Sequence, residues 1–176
     1  ATRAAAARGL GWLLDLQNGD GGLPTFCPGW GRLPFDRSCP DITAHALGAY
    51  DTWYRHVDPR CRRRLDEGLH AGVQYLQRAQ RADGAWIPLW FGNQRAGGQA
   101  NPTYGTARVV IALNRLAPGR LPRPNAMTRR GTDWLLAAQN GDGGWGGEAG
   151  VASSIEETAL ALAALEGSGD TAAWRR

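Results

Sequence analysis

The chain has 176 residues, of which 43% are hydrophobic and 20% are charged, and its formal net charge is +4. This length and apolar content suffice for one ordinary domain with a sizeable core, so a disordered chain is excluded. The arginine-rich stretch RCRRRLDE, residues 60–67, is followed at once by acidic side chains, so it predicts the solvated start of a helix and no nucleic-acid partner.

Cysteine usage and hydropathy predict the cellular compartment. Cys27, Cys39 and Cys61 form no paired framework, so we expect reduced thiols in a cytosolic protein. No apolar run reaches the length of a membrane span. The opening ATRAAAARGL lacks the apolar centre of a signal peptide.

Three glycine-rich turns recur along the chain, and each begins with a glutamine. In chain order they are QNGDGGL at 17–23, QRADGAW at 80–86 and QNGDGGW at 139–145. The segments before them, such as residues 62–80, have apolar residues at helical spacing and predict amphipathic helices. We expect three glycines to end these helices with positive φ: Gly21, Gly84 and Gly143.

The turns predict a clamp between neighbouring helix pairs. Each glutamine is expected to hydrogen-bond the backbone of the next layer, and the tryptophan two residues after the glycine is expected to stack on it. Leu23 replaces the tryptophan in the first copy, so stacking there should be weaker. A structural role is therefore favoured for the turns over a catalytic one.

A second motif alternates with the turns and contains Thr-Ala. It is DITAHALGAY from Asp41, YGTARVVIAL from Tyr104 and EETALALAAL from Glu156. These segments are apolar nearly all round, which is typical of helices buried on both sides. Alternating buried and amphipathic helices predict an all-α fold of two layers that curves into a solenoid or closes into an α/α toroid. No strand pattern competes with this prediction.

The ordered set of these motifs resembles the class II triterpene cyclases, the squalene–hopene cyclase family. The segments are WLLDLQNGDGG, PDITAHAL, LQRAQRADGAW, YGTARVVIAL and WLLAAQNGDGGWGG, and together they cover nearly the whole chain. The resemblance implies that residues 1–176 form one partial domain of an (α/α)6 barrel. The family's acid motif, Asp-x-Asp-Asp-Thr-Ala, is absent here. We therefore expect the chain to be the later part of a catalytic barrel and to be inactive by itself.

The resemblance implies an isomerase that protonates a squalene-like polyprenyl substrate and guides a carbocation cascade. Such a site must exclude water and present aromatic faces to the cation. Trp90 and Tyr104 match aromatic positions that line the family's cavity, and Phe35 matches a third. The loop before Asp41 is shorter than in hopene cyclases, and a longer insert follows Trp90. Core filling is the alternative role for these aromatic residues, and it is the favoured role for Trp86 and Trp145.

Asp41 and His45 are the candidate catalytic residues. They lie four residues apart, so they share one face of the predicted helix. The resemblance places this stretch beside the catalytic acid, where Asp41 would orient and charge His45, and His45 would strengthen the acid. The alternative is that Asp41 is the helix N-cap and His45 a buried core histidine.

Glu156 and Glu157 precede Thr-Ala as the paired aspartates do in the family's acid motif. The alternative is a capping role, because acidic residues favour a helix N-terminus.

Metal ions and other cofactors are not expected. Cys27, Cys39, Asp41 and His45 invite a zinc interpretation, but their spacing fits no tight zinc motif.

The expected small-molecule partner is a squalene-like substrate. The expected protein partner is either the missing N-terminal part of a cyclase or a second copy of the chain, because the terminal helices of an open barrel would each have one uncovered side. Location is predicted as cytoplasmic, with peripheral contact with the inner membrane left open. The alternative function is a non-catalytic toroid that binds an isoprenoid or a protein partner.

Overall fold

The computed structural model describes residues 2–26, 36–121 and 125–166. Six α-helices make up most of these residues: α1 Thr2–Leu16, α2 Pro40–Trp53, α3 Pro59–Ala79, α4 Pro102–Arg115, α5 Ala126–Ala137 and α6 Ile155–Glu166. The predicted all-α class is confirmed. The only strands in the described residues are β1 Leu23–Pro24 and β2 Ser38–Cys39, which pair antiparallel. Two residues are too few to produce an alternating pattern, so the sequence did not predict this pair.

The chain divides into two compact units, residues 1–79 and 80–176. In the first unit α2 packs against α1 and α3, and in the second α4 packs against α5 and α6. The Thr-Ala helices α2 and α4 bury seven and eight residues, whereas the longer α3 buries only a stripe of six. The prediction of two kinds of helix is therefore confirmed for α2, α3 and α4, but it is wrong for α6, the third Thr-Ala helix, which buries only Glu157, Ala161, Ala164 and Leu165.

Polar side chains and prolines define where the helices begin. Asp58 accepts hydrogen bonds from the backbone N–H groups of Arg60 and Cys61, and Pro59 opens α3. The Cys61 N–H contributes most to holding the pKa of Asp58 below its ordinary value. Asn101 and Asn125 cap α4 and α5 in the same way.

The first two glutamine turns are clamps, as predicted. Gln17 Nε2 donates to the carbonyl of Gly21 at 2.7 Å and to that of Gly68, on α3, at 2.9 Å. Gln80 Nε2 donates to Gly84 O at 2.8 Å and to Met127 O, on α5, at 3.0 Å. The Gln17 amide thus ties the end of α1 to α3, and the Gln80 amide ties the second turn to α5.

The three turn glycines have positive φ, as predicted, with values of 88°, 102° and 85° at Gly21, Gly84 and Gly143. A Cβ at Gly21 would lie 2.3 Å from Ala71 O, and one at Gly84 would lie 2.5 Å from Arg130 O. These two glycines therefore also permit a close backbone approach to the following outer helix. A Cβ at Gly143 would meet nothing within 4 Å.

A hydrogen bond joins the two repeated motifs. The backbone N–H at the end of each turn donates to the threonine Oγ1 of the following Thr-Ala motif: Leu23 to Thr43 at 2.8 Å, Trp86 to Thr106 at 3.0 Å and Trp145 to Thr158 at 3.0 Å. The sequence predicted both motifs but not this bond, because the partners lie 13 to 20 residues apart. The predicted stacking of tryptophan on glutamine stays a prediction.

Replacing Thr106 by valine should destabilise the second unit. The Trp86 N–H would lose its acceptor in a fully buried position, which costs about 1–3 kcal/mol. Thr158→Val is the matched control, because Thr158 is only half-buried and water can replace its hydroxyl. Thermal unfolding should show a larger loss for Thr106→Val; equal losses would contradict this assignment.

Candidate functional site

Asp41 lies in the buried first turn of α2. Its Oδ1 accepts a hydrogen bond from Cys39 Sγ at 2.8 Å. The N-cap of α2 is Cys39, and Pro40 occupies the first helical position. The alternative that Asp41 is the N-cap is therefore wrong, because the helix begins one residue earlier. An acidic group in a first turn interacts favourably with the helix dipole.

His45 lies one turn further along α2, at an exposed position. The alternative that His45 is a buried core histidine is wrong, because its neighbours Ala44, Ala46 and Leu47 take the buried positions. The spacing of Asp41 and His45 puts them on one side of the helix. Their joint role beside a catalytic acid stays a prediction.

The predicted aromatic residues of the second unit lie on the loop after the second turn and on α4. Trp90 is 41% exposed, so core filling is wrong for this residue. The ring of Tyr104 is stacked on Phe91, with centroids 4.6 Å apart and an interplanar angle of 19°. Sequence reasoning missed Phe91, although its position directly after Trp90 was a signal. Phe35 lies outside the described residues.

Trp86 and Trp145 fill the core. Both side chains are almost completely buried, and Trp145 Nε1 donates to Leu135 O at 2.7 Å. The core interpretation of these two tryptophans is confirmed.

Glu157 is a buried carboxylate with a full set of partners. Its Oε1 accepts from Asn93 Nδ2 at 3.0 Å and from Asn101 Nδ2 at 2.9 Å, and its Oε2 accepts from the Ser154 hydroxyl. Ser154 Oγ in turn accepts from the Glu157 N–H at 3.2 Å, as in a capping box. The capping group is therefore the Ser154 hydroxyl, and the Glu157 carboxylate instead fastens the loop before α4 to the start of α6. Glu156 is exposed.

An open pocket of about 430 Å³ lies beside Glu157, lined by residues 92–95 and 152–155. Within residues 2–26, 36–121 and 125–166, no group of three His, Cys, Asp or Glu side chains is placed to hold a metal ion. In the same ranges, no helix combines the length and the apolar character needed to cross a bilayer.

Comparison with known proteins assigns the family. Residues 1–174 match the squalene-hopene cyclase C-terminal domain. The chain is 34% identical over 166 residues to a drimenyl diphosphate synthase from Streptomyces showdoensis, covering 93% of this chain and 27% of that protein. It is 30% identical over 189 residues to a probable squalene–hopene cyclase from Sinorhizobium fredii, covering 94% and 27% respectively.

A copalyl diphosphate synthase from Streptomyces cyslabdanicus is 34% identical over 135 residues, which cover 77% of this chain and 23% of that protein. The chain therefore spans about a quarter of the length of these curated relatives. Because the match extends over nearly every residue, the ordered turns and Thr-Ala helices described above are features of a known domain type. The chain belongs to the squalene–hopene cyclase C-terminal domain family.

Proposed function

We propose that residues 1–176 form a partial α/α barrel domain of a cyclase that converts a linear polyprenyl substrate into a cyclic product. The observation that carries this proposal is the family match over residues 1–174. The reaction begins when an acid protonates a terminal double bond, and the resulting carbocation is attacked in turn by the internal double bonds. Loss of a proton, or capture by water, ends the cascade.

Aromatic residues of this chain would stabilise the carbocation, and two residues of α2 would assist the catalytic acid. Trp90 and Tyr104 would present aromatic faces, whose quadrupoles attract positive charge. The stack of Phe91 on Tyr104 supports this role, since it fixes the direction of the Tyr104 ring. Asp41 and His45 would act beside the acid, which the N-terminal part of a cyclase would have to supply because this sequence has no Asp-x-Asp-Asp.

Two substrate types are supported by the names of the relatives, squalene and linear prenyl diphosphates. They share a polyene with a terminal double bond and differ in the charged end. A squalene-type substrate dissolves in lipid, so we also propose that the complete enzyme contacts the membrane surface peripherally.

The test is to incubate a complete cyclase containing this domain with squalene and, in parallel, with linear prenyl diphosphates, and to identify products by mass spectrometry. We expect a cyclic product from one of the two types, and none from residues 1–176 alone. Binding of the polyenes without any cyclic product would overturn the proposal and favour a non-catalytic isoprenoid-binding protein.

A further inference from the structure

Two side-chain amides lie on either side of the stacked rings of Phe91 and Tyr104 in the sequence. Asn93 follows Phe91 by two residues, and Asn101 precedes Tyr104 by three. Both amides donate to the same atom, Glu157 Oε1 on α6, at 3.0 and 2.9 Å. A carboxylate that lies 64 and 56 positions further along the chain is therefore bonded close to both members of the ring pair.

Asn93 organises the loop that carries Phe91. Its Oδ1 accepts from the Arg95 N–H at 2.9 Å, and its own N–H donates to Gln99 O at 3.1 Å. These two bonds close the loop on itself. The bond from Asn93 Nδ2 to Glu157 is different, because it connects the closed loop to α6 and so sets the direction in which the loop is held.

Backbone contact supports the same loop without fixing that direction. A Cβ at Gly147 would lie 2.4 Å from Asn93 Cβ, so the segment before α6 lies directly on the loop. Such a contact determines how near the loop lies. A hydrogen bond also depends on angle, so the Glu157 carboxylate supplies the orientation that the contact does not.

Asn101 links Glu157 to Tyr104 itself. It is the N-cap of α4, it is 4% exposed, and its Oδ1 accepts from the Tyr104 N–H at 3.0 Å. Its Nδ2 donates to Glu157. Because a buried donor without an acceptor is costly, Glu157 favours the one orientation of this amide that aims Oδ1 at the Tyr104 N–H. The residue whose ring is stacked is therefore also the residue whose backbone this network caps.

Capping of α6 does not explain a buried carboxylate at position 157. The cap is the Ser154 hydroxyl on the Glu157 N–H, and that bond uses only the backbone of residue 157. The Glu157 carboxylate is nevertheless buried and accepts from two amides and a hydroxyl, all of them neutral. Hydrogen bonds to a charged acceptor are stronger than neutral ones, which suits a group that holds two other segments in place.

We propose that Glu157 is a positioning residue for an aromatic face made of Phe91 and Tyr104. By holding Asn93 and Asn101 at one oxygen atom, it keeps the two rings stacked. The assignment rests on the proposed function, in which this face stabilises a carbocation. A cation is attracted when it lies over a ring face, so turning either ring away would weaken the attraction. Phe91 thereby joins Tyr104 as part of the face.

NMR of residues 1–176 with 13C-labelled tyrosine measures the stack directly. A facing aromatic ring shifts the resonances of its neighbour, and Phe91→Leu gives the Tyr104 resonance without the stack. Glu157→Leu should move the Tyr104 resonance to its position in Phe91→Leu. The other three tyrosines lie in the first unit, so their resonances should stay in place and report that the chain is folded: Tyr50, Tyr54 and Tyr75.

Glu157→Gln is the conservative variant, and Glu156→Leu is the matched control. The glutamine oxygen can still accept from Asn93 and Asn101, and its amide can donate to Ser154 Oγ. The Tyr104 resonance should therefore stay close to its original position in Glu157→Gln. Glu156 lies beside Glu157 in the first turn of α6 but is exposed, so Glu156→Leu should not move the resonance either.

Asn93→Asp tests the same link from the loop and decides the matter if Glu157→Leu does not fold. The aspartate keeps an acceptor for the Arg95 N–H but places a second negative charge against Glu157, so the Tyr104 resonance should again move. A Tyr104 resonance that stays in place in folded Glu157→Leu, or in Asn93→Asp, overturns the proposal. Movement of all four tyrosine resonances together in both variants also overturns it, because Glu157 would then support the whole fold.

Kinetics of a complete cyclase that contains this domain test the link to the reaction. Glu157→Leu and Phe91→Leu should each lower kcat by about 2- to 30-fold, the range expected for one cation–ring interaction. KM should change less, because the cation forms only after the substrate is bound. Glu157→Gln should retain most of the kcat.

An unchanged kcat in Glu157→Leu overturns the role of Glu157 in the reaction. Failure of the proposed function has a different signature. The unmodified cyclase would then convert no polyene at all, while the Tyr104 resonance would still show whether Glu157 holds the ring pair.

Discussion

Replacing Gly84 by alanine will lower the melting temperature substantially, and the same replacement at Gly143 will lower it much less. Both glycines have positive φ, which costs any other residue about 1–2 kcal/mol. At Gly84 the new Cβ would also lie 2.5 Å from Arg130 O, and forcing a close-packed contact apart costs about 1–3 kcal/mol more. A total of about 3 kcal/mol corresponds to about 6–12 °C for a chain of this size.

The Gly143→Ala variant is the internal control, because its alanine would have the strain of a positive φ but its Cβ would contact no other atom within 4 Å. Gly21→Ala should behave like Gly84→Ala, because its Cβ would lie 2.3 Å from Ala71 O. Calorimetry measures the three shifts in melting temperature. Equal losses at Gly84 and Gly143 would show that the approach of α5 to the second turn contributes nothing to stability.

In a complete cyclase that contains this segment, replacing His45 by alanine should reduce turnover about tenfold or more. A tenfold loss corresponds to about 1.4 kcal/mol of lost transition-state stabilisation. The proposed reason is that His45 stabilises the anion left when the catalytic acid gives up its proton. The melting temperature should stay within a few degrees, because the His45 side chain is exposed. Asp41→Asn should reduce turnover less, since Asp41 acts through His45.

His70→Ala is the matched control for His45→Ala. His70 is also an exposed histidine in a helix, and its ring nitrogen is hydrogen-bonded to the Gln74 side chain at 2.9 Å. Its replacement should leave turnover unchanged. If His45→Ala keeps full activity, or if both histidine variants lose activity equally, the role assigned to Asp41 and His45 is wrong.

Local patterns in the sequence were sufficient to predict the helices and the turn glycines. Apolar spacing separated amphipathic α3 from the more buried α2 and α4, because helix burial follows directly from the arrangement of side chains around the axis. Gly84 could be assigned a positive φ because that conformation is a property of one residue at a helix end. The family followed from the order of the same motifs.

The N-terminus of α2 shows where local reasoning failed. The alternatives for Asp41 and His45 assumed a helix that begins at the aspartate and buries the histidine. The helix instead begins at Pro40, and its N-cap is Cys39 in the short strand pair. Pairing with β1 depends on residues about 15 positions earlier, so no local pattern could place that boundary.

What the sequence by itself determined was therefore the set of helices, their two kinds and the repeated turns, since each depends on neighbouring residues. What only the tertiary structure decided was which groups meet: Gln80 with Met127, Trp86 with Thr106, and Phe91 with Tyr104. It also decided that Leu162 is exposed although its equivalents are buried. A repeated motif places similar residues at equivalent positions, but whether such a residue is buried depends on whether another helix packs against it.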